Sequence, residues 1–107
     1  MNHRLRLPAR RPLDIIAMEH EGQRFKVCLG RATPDGPVVE VWLNAQQVNS
    51  PIDVLTSDGA ILMSMLIQYG CPADEIIKSM KHNSDGKPAS PLGVAAQLVA
   101  DTFKAAS

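Results

Sequence analysis

The sequence lacks a glycine-rich phosphate loop: neither GxxxxGK(S/T) nor GxGxxG occurs. HExxH, an EF-hand loop and GxSxG are missing too, and with them the local signatures of a metalloprotease helix, a calcium site and a hydrolase nucleophile. Cysteine is scarce. Cys28 and Cys71 stand apart with no CxxC, which fits two free thiols in a reducing compartment and excludes a local thiol relay. His3, His20, His82, Cys28 and Cys71 are the candidate metal ligands, but their scattered spacing supports no zinc site. Long apolar runs are absent as well. The longest, Ala60 to Ile67, is far short of a membrane span and is broken by Ser64. The opening MNHRLRLPARR is basic with no apolar stretch after it, so no signal peptide is read. These absences lead us to expect a cytoplasmic protein with no membrane span, no metal, no cofactor and no catalytic residue set.

What is present is one domain's worth of chain. The 107 residues suffice for a single core. Formal net charge is zero, but Arg4, Arg6, Arg10 and Arg11 crowd the first eleven residues, which carry no acid. The remainder holds seven basic against eleven acidic residues, a net −4. The layout is a basic, proline-containing arm over residues 1–12 and a mildly acidic body over 13–107. The arm is either a solvated segment that caps the domain or a contact for nucleic acid or for an acidic partner surface; the body has no basic face of the kind duplex binding uses.

Alternation over Asp14–His20, Arg24–Gly30 and Val38–Asn44 predicts three strands. Glu21-Gly22 makes a tight hairpin turn and Thr33-Pro34-Asp35-Gly36 a second turn. Phe25, Val27 and Leu29 share a face, as do Val39, Val41 and Leu43; these faces should meet the helices. The opposite face is mixed, with Lys26, Cys28, Glu40 and Trp42. Trp42, the one tryptophan, is either an interface anchor or packed under the arm. Glu40 is either a partner-facing carboxylate or a strand residue paired across to Lys26.

Ser50-Pro51 and Ser90-Pro91 are two helix starts, a serine cap followed by proline in the first turn. Leu55, Ile61, Leu62, Met65, Leu66 and Tyr69 follow helical spacing in the first helix; Leu92, Ala95, Leu98, Val99, Thr102 and Phe103 do so in the last, whose tail from Lys104 should fray. Gly70 suits the left-handed position after a helix end, and Pro72 the first position of a short helix with Ile76, Ile77 and Met80. Cys71 lies between them. Gly70, Cys71 and Pro72 therefore read as a structural corner, although a thiol beside a helix N-terminus can also be reactive. The expected fold is α+β: a three-stranded antiparallel meander followed by three helices packed on one face.

RLRLPARR, GRATPDGPVVEVWL and DGAILMSMLIQYGCPADEIIKSM, in this order, resemble the TSCPD domain. That domain is found towards the C-terminus of adenosylcobalamin-dependent (class II) ribonucleotide reductases and also as small stand-alone proteins. Leu7-Pro8, Asp35-Gly36 with Glu40, and Gln68-Tyr69-Gly70 with Pro72 carry the likeness, and Asp85 to Gly93 (DGKPASPLG) looks like stand-alone bacterial or prophage members. The reductase barrel, radical cysteine and cobalamin site have no counterpart here. The resemblance implies an accessory domain rather than a reductase. We expect a non-catalytic interaction module, a homodimer or other homo-oligomer or the ligand of a protein partner. The alternative is a nucleotide- or nucleic-acid-linked role drawing on the arginine arm.

Overall fold

The computed structural model describes residues 4–8 and 10–106, with side chains to Thr102. His3 and the side chain of Phe103 lie outside the described residues. The chain runs β1 (Leu13–His20), β2 (Gln23–Arg31), β3 (Val38–Ala45), α1 (Pro51–Gln68), α2 (Ala73–Ser79) and α3 (Pro91–Ala106). The sheet is an antiparallel meander in the order β1-β2-β3 with the helices against it, as expected for an α+β domain.

Local chemistry sets most boundaries. Glu21 and Gly22 both take positive φ, 50° and 80°, which matches the twist of a two-residue hairpin. The Gly36 N–H donates to the Thr33 carbonyl at 3.1 Å and closes the second turn. Ser50 caps α1 by accepting from the Asp53 N–H, with Pro51 as the first helical residue. Ser90 caps α3 through the Gly93 N–H at 3.0 Å. Gly70, at φ 98°, ends α1, with the Gly70 and Cys71 N–H groups returning to the Ile67 and Leu66 carbonyls. One boundary moves. Pro72 caps α2 from outside rather than opening it, because its ψ of 145° is extended.

Phe25, Val27, Leu29, Val41, Leu43 and Ala45 line the inner face of the sheet and bury against Ala60, Met63, Ile76, Ala95, Ala96 and Val99. Ile16 and Met18 of β1 pack on the rim of this core. Alanine dominates the buried face of α3 (Ala95, Ala96, Ala100 with Val99), so that helix approaches closely. A Cβ at Gly59 would run into Leu92 of α3, so glycine inside α1 sets the spacing of the two helices.

The first helix is turned over relative to its apolar spacing. The residues of α1 that bury are Asp53, Thr56, Ala60, Met63, Ser64 and Gln68. Val54, Leu55, Ile61, Leu62, Leu66 and Tyr69 face outward. The stripe that gave α1 its helical signature is therefore not the one that packs, and this inversion organises the rest of the molecule.

Candidate interaction surface on the outward face of α1

The inversion has a cause in the sheet. β3 is an edge strand, and an edge leaves a row of backbone N–H and C=O groups without a ladder partner. Helix α1 supplies partners from its side chains. Gln68 Nε2 donates to the Val39 carbonyl at 3.0 Å. Ser64 Oγ accepts from the Val41 N–H at 2.8 Å and donates towards the Val41 carbonyl at 2.9 Å. Ser57 Oγ donates to the Leu43 carbonyl at 3.1 Å, and Asp53 Oδ1 accepts from the Ala45 N–H at 2.8 Å. Helix positions 53, 57, 64 and 68 thus meet strand positions 45, 43, 41 and 39 in antiparallel order. The lengths agree: fifteen helical steps span about 22 Å and six strand steps about 20 Å. A polar stripe of α1 stands in for a fourth strand.

Asp53 is the anchor. Besides Ala45, its carboxylate accepts from the Asn49 N–H at 2.8 Å, fixing the loop between β3 and α1. These two backbone donors, Asn49 first, hold its carboxyl below the ordinary 3.8, with Asn44 and Ser57 adding to the effect. Asp53 is buried. The donors outweigh the opposing effect of desolvation.

Because the polar stripe is turned to the sheet, the apolar one is turned to water. Leu55 is 67% exposed, Leu62 61% and Ile61 51%. Val54, Leu66 and Tyr69 continue the surface. At the C-terminal end Leu5 adds to it, held there by its N–H on the Gln68 carbonyl at 2.9 Å. Asp58 is the one charged residue exposed on the helix.

The residues singled out on the sheet's other face do share that face. Cys28 pairs with Trp42 and with Ile15 across the meander. Lys26 pairs with Asn44, and Glu40 lies opposite Gly30. Glu40 is therefore not the cross-strand partner of Lys26. It is buried and bound by Arg11 in a bidentate pair along one guanidinium edge, Nε to Oε2 and Nη2 to Oε1, the latter at 2.9 Å. Glu40 raises the Arg11 pKa further above its ordinary value. The same guanidinium stands 5.9 Å from the centre of the Trp42 ring, in the range of a cation–π contact, so Trp42 lies half-buried beneath the arm. Gly30 makes room for Glu40, since a Cβ there would meet the Glu40 side chain.

Two arginine side chains of the described arm bind the body. Arg4 Nε contacts Gln68 Oε1 beside the end of α1, and Arg11 reaches Glu40 on the opposite layer; Arg6 and Arg10 are exposed. The corner residues serve packing: Cys71 lies against the core and its thiol points to the Pro72 carbonyl at 3.7 Å. Among the described residues no three of His, Cys, Asp and Glu converge as metal ligands, and no helix is long and apolar enough to cross a membrane. The α1 surface is the feature that sequence reading missed. Its signal was there: Asp53, Ser57, Ser64 and Gln68 share the helical period of the apolar set.

Comparison with protein-family models, with curated proteins and with solved structures finds no match.

Proposed function

We propose that this chain is a protein-interaction module, non-catalytic on its own, and that its contact surface is the outward face of α1. The observation that carries this reading is the exposure of six large apolar side chains on one helix, with a seventh from the arm beside them. Their exposed apolar area is on the order of 500 Å², within the range of the largest patch on a typical monomer, which is often functional. The resemblance to the TSCPD domain supports the same reading, because that domain lies apart from the catalytic barrel of the reductases that carry it. A nucleic-acid-linked role would draw on the arginine arm. One of its four arginines, Arg11, is already neutralised by Glu40, so the arm offers less charge to phosphates than its composition suggests.

A photo-cross-linking side chain placed in turn at Leu62 and at Ile15, in cells, tests this. Position 62 is expected to give discrete protein–protein adducts and position 15, on the sheet's outer face, far fewer. Discrete adducts from 15 with none from 62 would overturn the assignment.

A further inference from the structure

Resting on the reading of α1 as a contact surface, we infer that its occupant is a second copy of this chain, packed antiparallel about a two-fold axis at Leu62. The spacing is self-complementary. Leu55, Leu62 and Tyr69 recur every seven residues, the repeat that keeps one seam facing a partner helix. An antiparallel mate centred on Leu62 sets Leu55 against Tyr69 and Leu62 against itself, and brings Ile61 and Leu66 in beside them. Leu5, held at the C-terminal end of the helix, then reaches the N-terminal half of the mate.

Charge selects the direction. A parallel pair would place the two Asp58 carboxylates face to face and the two arms side by side. In the antiparallel pair Asp58 lies four residues from the axis, so the two carboxylates stand about 12 Å apart along the helices. Each then points towards the end of the mate where Arg4 and Arg6 flank Leu5. Opposite charges meet and like charges separate.

The area is that of a dimer. A standard interface buries about 800 Å² per partner, and about two-thirds of it is apolar in homodimers. The apolar surface that α1 and Leu5 present, on the order of 500 Å², is what one side of such an interface supplies. A symmetric pair withdraws the Leu55, Leu62 and Tyr69 seam from water.

Cysteine pairing with sedimentation tests the geometry. In a Cys28→Ser, Cys71→Ser background, Leu62→Cys is expected to form an intermolecular disulfide readily with copper–phenanthroline as oxidant, since helices packed at 8–10 Å bring residues on the axis within disulfide reach. Leu55→Cys alone is expected to cross-link poorly, and its mixture with Tyr69→Cys chains well. Self-cross-linking of all three positions to equal extents would mean a parallel pair and overturn the model. Leu62→Asp, at an exposed position, is expected to leave the circular dichroism unchanged and to weaken association by more than about 100-fold by setting carboxylate against carboxylate. A dimer that survives Leu62→Asp would overturn the inference. So would a wild-type chain that sediments as a monomer at high micromolar concentration; adducts from position 62 in cells would then still support an interaction module with a different partner, and their absence would remove both.

Discussion

Asp53→Ala is expected to lower the melting temperature by on the order of 10 °C, the largest effect of any single polar substitution in the chain. Two backbone donors, Ala45 and Asn49, end on this one carboxylate at 2.8 Å each. Removing it strands both, one in the seam between β3 and α1 and the other in the loop that joins them. Asp53→Asn is no rescue, because the amide turns a donor towards one of the two N–H groups. The effect has a pH signature. The folded carboxyl lies below its ordinary value of 3.8, so the folded state binds fewer protons than the unfolded state as the carboxyl titrates. Its contribution is then fully present above the unfolded value and is lost as pH falls through the folded one. Urea unfolding of the wild type and Asp53→Asn should show a constant difference between pH 7 and pH 5, narrowing below about pH 4. A difference that grew towards acid would contradict the assignment of the carboxylate as the bound form.

The second large effect is expected at Ser64. Ser64→Ala removes the acceptor of the buried Val41 N–H and a hydroxyl proton shared between the Val41 and Ala60 carbonyls, in the middle of the edge that α1 closes. Leaving such a donor unsatisfied costs about 1–3 kcal/mol, and the slightly better helix propensity of alanine offsets only a few tenths. Ser57→Ala is the internal control. Its hydroxyl meets the Leu43 carbonyl and Asn44 in a partly exposed place and leaves no backbone N–H unpaired when removed, so its loss should cost under about 1 kcal/mol. Denaturant unfolding of the two variants side by side checks the order. Equal costs would mean that the side chains of α1 merely lie against β3 and do not complete it. Ser64→Ala should also aggregate more readily on partial unfolding, since an edge strand with free ladder groups templates pairing with other chains.

These substitutions also mark where sequence reading succeeded and where it stopped. The meander, its turns and the helix starts were legible because each is encoded within a few residues: Glu21-Gly22, Ser50-Pro51, Gly70, Ser90-Pro91. The outward face of α1 was not. A 3.6-residue period states which residues share a face and leaves open which face turns inward. Leu55, Leu62 and Tyr69 form one stripe, and Asp53, Ser57, Ser64 and Gln68 form another with the same period. Hydrophobicity alone favours burying the first. The choice is made by an edge strand that needs hydrogen-bond partners, and no local pattern says that β3 will be that edge. Glu40 was misread for a related reason. Its neighbour across the sheet is Gly30, which leaves a hollow, and its true partner, Arg11, comes from 29 residues away through an arm with no periodicity of its own.

The mixed sheet face, with Trp42, Cys28 and Lys26, and the apolar face of α1 are the two surfaces on which an interaction module of this fold could act. Arg11 already covers part of the first, whereas the second is open along the whole helix. Chemical-shift mapping of the isotopically labelled chain across a dilution series separates them directly. The account predicts concentration-dependent shifts at Leu55, Leu62, Leu66 and Tyr69, with Ile15, Cys28 and Trp42 unmoved. Shifts confined to Ile15, Cys28 and Trp42, with α1 silent, would contradict it.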